Sequence, residues 1–159
     1  GAGEQALELY QMILGRCSDR SLDDAIEESL DELAAKGIQF VPGFGHRFHK
    51  PEDPRAHPLM ELLRNCSQVD PSIDSRFADV AERIQDAIEQ RKGKRIAMNI
   101  DGATAAIYGA LGVPATLARG LFCLSRSVGL TAHAYEQSLS NERNKGPTPP
   151  DYRWTYDPN

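Results

Sequence analysis

The sequence predicts an all-α fold. Three observations carry that expectation. Apolar residues recur at three- and four-residue intervals over long stretches. Capping residues and glycines fall where those stretches should begin and end. Alternating, strand-like runs are almost absent.

The first helix is expected over residues 4–14, where Ala6, Leu7, Leu9, Tyr10, Ile13 and Leu14 keep helical spacing, with Gly15 as its stop. Ser21 followed by Asp23 and Asp24 marks a second start, since a hydroxyl cap and early acids both suit a helix N-terminus. Leu22, Ala25, Ile26, Leu30, Leu33 and Ala34 then share one face up to Gly37. Residues 38–58 hold two glycines, four prolines and three histidines, so they read as loop, with a short extended piece at 38–41. Helical spacing resumes over 59–66. Asp70-Pro71 marks a turn, and Ser72 or Asp74 should cap a helix that runs to Gly93 with Phe77, Val80, Ala81, Ile84 and Ile88 inward. Residues 96–100 have strand-like composition, and 100–111 an Ala-rich helix. Gly112-Val113-Pro114 breaks it, and a last helix should run to Leu139, apolar on most sides and therefore suited to an interface. From Asn141 the chain is Pro-rich and irregular.

The chain has 159 residues, 40% hydrophobic and 26% charged, which suits one ordinary globular core. A net charge of −5 argues against a nucleic-acid partner. No apolar run is long enough to span a membrane, and the opening residues lack the pattern of a signal peptide. Cys17, Cys66 and Cys123 are sparse and odd in number, so they read as free thiols, buried as small hydrophobes in a reducing, cytoplasmic setting. The chain opens Gly1-Ala2-Gly3 straight into a helical pattern, as a piece of a longer protein would.

Chemistry concentrates in Gly43-Phe44-Gly45-His46-Arg47-Phe48-His49-Lys50, followed by Asp53-Pro54-Arg55. The glycines let backbone approach a ligand. His46 is a proton-transfer group that works near neutral pH. Arg47, Lys50 and Arg55 suit carboxylate or phosphate. Such a loop is a natural anion site, although each residue also has a plainer reading: a solvated histidine, ordinary surface cations. His46 and His49 are poor metal ligands on sequence grounds, lacking a third partner and flanked by cations. Asp101 opens a helix and, taken alone, reads more readily as its N-cap than as a functional carboxylate. Arg126 could serve as a structural ion-pair partner, and His133 reads as a core or interface residue.

GFGHRFHKPEDPRA resembles the GFGHRVYKNYDPRA motif of bacterial citrate synthases. MNIDGATAAIYGALGVP resembles the family's stretch around its catalytic aspartate, FCLSRSVGLTAHAYEQ its Arg-containing helix, and GAGEQAL its G-G-A-x-E-x-A segment. The resemblance is thus to the citrate synthase and citryl-CoA lyase superfamily, over its C-terminal portion. It implies a small, CoA-binding domain over 1–114, and over 115–159 a long helix and irregular tail belonging to the large domain and dimer interface. It implies that His46 polarises the carbonyl of oxaloacetate and that Asp101 removes a methyl proton from acetyl-CoA. Arg55 and Arg126 would hold citrate carboxylates, with Arg47 beside them as a further anion contact. Val41, Pro42, Gly43, Phe44, Gly45 and Lys50 would wrap the CoA. No metal or prosthetic group is implied, since CoA thioester is itself a substrate.

The expected partners are therefore acetyl-CoA or CoA, oxaloacetate or citrate, and a second copy of the chain. The reaction could be citrate synthesis, citryl-CoA cleavage or methylcitrate synthesis. The family's remaining catalytic histidine would fall upstream of Gly1, so these residues alone are expected to be inactive. A non-catalytic CoA-binding or self-associating module is the rival of a different class. In the tail, Gly146 stands where relatives carry an arginine, with Arg143, Lys145 or Arg153 as substitutes.

Overall fold

The computed structural model describes residues 1–140. It contains six α-helices and, among the described residues, no strand beyond one isolated antiparallel bridge between Phe44 and Met98. The helices are α1 (Ala2–Arg16), α2 (Leu22–Ala35), α3 (Ala56–Val69), α4 (Arg76–Lys92), α5 (Ile100–Ala110) and α6 (Ala115–Leu139). The described residues divide into two units, the first Gly1–Cys123 and the second beginning at Leu124.

The first unit is built around α5, which packs against α1, α3 and α4. Small residues make this possible. Gly102, Ala103, Ala105, Ala106, Gly109 and Ala110 are all buried, so three helices can close on one short segment. A Cβ at Gly109 would run into the Phe77 ring of α4. Around this seam lie Leu7, Tyr10, Ile13, Ile26, Met60, Val80 and Ile84, all fully buried. Tyr10 donates its hydroxyl proton to the Gly102 carbonyl at 3.3 Å, which satisfies the one polar atom that its burial would otherwise orphan. Burial holds that phenol well above its usual pKa.

The helix limits largely follow the caps. The Ser21 hydroxyl accepts from the Asp24 amide at 3.1 Å. Helix α4 ends at Gly93, in the left-handed region at φ 64°. Four expectations are corrected. Helix α1 passes through Gly15 to Arg16. Helix α3 begins at Ala56, not at Leu59, because Pro58 sits in the first turn, where a missing N–H breaks no intrahelical bond. The strand-like composition at 96–100 yields only the Met98 bridge, and 38–41 is irregular.

The cysteines also differ from expectation. They are free, but Cys66 and Cys123 are exposed and only Cys17 is partly buried. His133 is exposed beside Glu136, so it is no core residue of this chain. Helix α6 buries only Ala118; Leu124, Val128, Leu130, Tyr135 and Leu139 lie open along it. The tail positions Arg143, Lys145, Gly146 and Arg153 lie outside the described residues. No helix among the described residues is long and apolar enough to cross a membrane.

Candidate active site

Helix α2 leaves through Gly37, and the chain then crosses to the start of α5. Gly43 and Gly45 both have positive φ, 87° and 92°, which an L side chain resists. Their conformations press the loop onto α5. A Cβ at Gly43 would lie 2.8 Å from the Cα of Gly102, and one at Gly102 would strike the Gly43 carbonyl. The Gly45 amide donates to the Ala97 carbonyl at 2.7 Å, and the Asn99 amide to the Gly43 carbonyl at 2.9 Å. The loop bearing His46 therefore lies against the segment that leads into Asp101.

His46 is half-buried, and its Nδ1 accepts from the backbone amides of Phe48 and His49, both at 3.0 Å. In the neutral ring that assigns the proton to Nε2, so His46 presents an N–H donor. The His49 ring lies 4.4 Å away, centroid to centroid. Asp101 sits in the first turn of α5 and is half-buried. It is not the N-cap. Asn99 takes that role, accepting from the Asp101 and Gly102 amides at 2.9 and 3.2 Å. The Asp101 carboxylate is thereby released from capping. A Cβ on Gly3 would come within 3.8 Å of its Oδ1, which places it at the positive end of α1.

Arg55 is fixed by Asp53. Its Nε donates to Asp53 Oδ1 at 2.9 Å and its Nη2 to Oδ2 at 2.7 Å. Asp53 is buried, and the Arg55 hydrogen bonds hold its carboxyl down at about 2. In return the Asp53 hydrogen bond raises the Arg55 pKa, and the field of Asp101 adds to the rise. Arg55 thus stands in electrostatic reach of Asp101.

An open cleft of about 490 Å³ borders the loop. Val41, Phe44, Gly45, His46, Arg47, His49 and Lys50 line one part; Lys92, Lys94, Arg95 and Ile96 line another. Of the residues expected around this ligand, Pro42 and Gly43 do not line the cleft; Gly43 is turned inward against Gly102. Arg126 belongs to the second unit, exposed on α6. Sequence reasoning noted Asp53 within the Asp-Pro-Arg unit without giving it a role, and missed Asn99 and the basic Lys92, Lys94 and Arg95. The Asp-Pro-Arg and Asn-Ile-Asp triplets were the signals for the first two.

His46, His49 and Asp53 have ligand atoms within 4.8 Å of one another. Two of the three are already engaged by the protein itself. His46 Nδ1 already takes two amide protons, and both Asp53 oxygens hold Arg55. Tetrahedral ligands at about 2.0 Å would also need to close to roughly 3.3 Å from each other.

Fold and site together define a helical domain whose cation-lined loop carries an imidazole N–H and rests on the helix start that carries Asp101, while Asp101 and Arg55 themselves do not line the cleft. Residues 1–148 match the family described as citrate synthase, C-terminal domain. The chain belongs to the citrate synthase family. It is 33% identical over 143 residues to citrate synthase of Heyndrickxia coagulans, covering 89% of this chain and 35% of that protein. Two solved structures agree. Citryl-CoA lyase of Hydrogenobacter thermophilus has a TM-score of 0.66 at 32% identity, over 100% of this chain and 58% of its own. Citrate synthase of Thermoplasma acidophilum, in ternary complex with carboxymethyl coenzyme A and oxaloacetate, has 0.66 at 25% identity, over 99% of this chain and 41% of its own. The chain spans about a third of the length of the curated relative and about half that of the two structures.

Proposed function

We propose that this chain supplies the small-domain part of an enzyme that joins acetyl-CoA to oxaloacetate. The observation that carries this reading is the contact between the His46 loop and the first turn of α5, which puts an N–H donor and a carboxylate on adjoining backbone. Asp101 takes a proton from the acetyl methyl group. The resulting enolate carbon attacks the oxaloacetate carbonyl carbon, and the carbonyl oxygen takes the proton of His46 Nε2 as the C–C bond forms. Water then cleaves the thioester, its hydroxyl going to the acyl carbon and its proton to the CoA sulfur, giving citrate and CoA; Asp101 releases its proton to solvent and His46 Nε2 regains one, which restores both groups. Arg55, held rigid by Asp53, binds a carboxylate of oxaloacetate or citrate. The basic rim, with Arg47, Lys50, Lys92, Lys94 and Arg95 on a chain of net charge −5, suits the phosphates of CoA.

Citryl-CoA cleavage is the second reading, favoured by the match to a citryl-CoA lyase over the whole of this chain. The same groups serve in reverse. We further propose that a second copy of the protein covers the apolar residues of α6, which makes the working unit a homodimer.

The test is an assay of the intact protein with acetyl-CoA plus oxaloacetate, propionyl-CoA plus oxaloacetate, and citryl-CoA. Turnover of one of these, lowered at least about 100-fold by His46→Ala and by Asp101→Asn, is expected. No turnover of any of them, with CoA still bound, would instead identify a binding module.

A further inference from the structure

Asn99 has a place in the molecule that neither His46 nor Asp101 shares: it bonds to both of their segments at once. Its Oδ1 accepts from the amides of Asp101 and Gly102 at 2.9 and 3.2 Å. Its Nδ2 donates to the carbonyl of Gly45, the residue before His46, at 2.8 Å. Its own amide donates to the Gly43 carbonyl at 2.9 Å, and its carbonyl accepts from Ala103 at 3.0 Å. Every polar atom of the residue is thus used, two on the loop and two on the helix. The side chain alone connects the two backbones, with one end on each.

Capping by itself does not explain an asparagine here. Serine, aspartate and asparagine cap about equally well, because each offers an oxygen to the N2 and N3 amides. Only asparagine offers an oxygen to the helix and an N–H to the loop from one planar group. The loop also has few other anchors on this side. His46 closes its own turn by accepting the Phe48 and His49 amides, which fixes the ring to its loop but not to α5. Beyond the glycine contact, the loop is tied to the entry of α5 by the Gly45 amide, the Asn99 amide and the Asn99 side chain.

We infer that Asn99 is a positioning residue that sets the distance between the His46 imidazole and the Asp101 carboxylate. For its catalytic consequence this rests on the reading of His46 and Asp101 given above. Misplacing reacting groups by an ångström can lower turnover about 100-fold without unfolding anything.

Three variants of the intact protein separate bridging from capping. Asn99→Ser keeps the cap but is too short to reach Gly45. Asn99→Asp keeps cap and length, and turns an oxygen toward the Gly45 carbonyl. Asn99→Ala loses both functions. Two readouts are used: kcat and KM with the substrates above, and hydrogen exchange of the amides of 43–49 and of 101–105. If Asn99 bridges, Ser, Asp and Ala all lower kcat by about 30- to 100-fold with KM for the thioester changed less than about 3-fold. All three speed exchange in 43–49 by about 5- to 10-fold, and only Ala speeds it in 101–105. If Asn99 merely caps α5, Ser and Asp match the wild type in both readouts, and the inference is overturned. A wild-type protein with no turnover would sink the functional reading, while the exchange pattern would still decide for or against the bridge.

Discussion

Helices α5 and α6 are both rich in small and apolar residues, yet they end in different surroundings. Helix α5 is enclosed by α1, α3 and α4 and buries six of its eleven residues. Helix α6 is more than twice as long and buries one, Ala118. In α5 the small residues are a requirement of close approach, as the contacts of Gly102 and Gly109 show. In α6 Gly129 meets nothing within 4 Å. An apolar pattern states that a face should be covered; the neighbours within reach decide whether the chain covers it itself.

Substitutions can break this contrast or sharpen it. The largest effect is expected from truncating the enclosed region. Ile13→Ala, in α1 against α5, should cost about 2–5 kcal/mol in denaturant unfolding, whereas Leu124→Ala in an isolated chain should stay within about 0.5 kcal/mol. A large loss at Leu124 in the intact protein, absent from the isolated chain, would show that another body covers α6. Next come the glycines. Gly102→Ala should cost about 1–3 kcal/mol or more, because the new methyl group meets a backbone carbonyl. Gly129→Ala should instead stabilise by about 0.4–1 kcal/mol. Equal losses at both positions would remove the contrast.

Asp53 gives a smaller and pH-dependent effect. The Arg55 hydrogen bonds depress its carboxyl from the usual 3.8 to about 2. The associated stability, roughly 2 kcal/mol, is complete above about pH 4 and disappears as the pH falls toward 2. Asp53→Asn should therefore flatten the acid limb of a stability profile in that window while leaving neutral-pH slopes alone. Smallest is Arg83→Ala. Its pair with Asp23 is half exposed on both sides, so thermal unfolding should move by less than about 1 kcal/mol.

Much of this was legible in the sequence, and the limits are physical. The caps Ser21 and Gly93 and the inward faces of α1, α2 and α4 followed from local rules. The start of α3 did not, because Pro58 reads as a breaker unless its place in the first turn is known. Cys66 and Cys123 were misjudged because a helix position does not reveal which face another body takes. At the site, His46 and the Asp53-Pro54-Arg55 unit stood out by composition. The role of Asn99 did not, since its two partners lie on segments far apart in the chain. Asp101 was named from its motif, but its place at the helix start did not show that Asn99, two residues earlier, takes the capping role.

The contact between Gly43 and Gly102 has one more consequence. Two backbones that touch with no side chain between them leave no slack and no wedge. A ligand that draws the His46 loop inward meets the head of α5 directly behind it, so the segments that carry His46 and Asp101 are set to move together. Closure around a substrate would then change where this pair stands with respect to the ligand, while its internal spacing stayed as the fold built it.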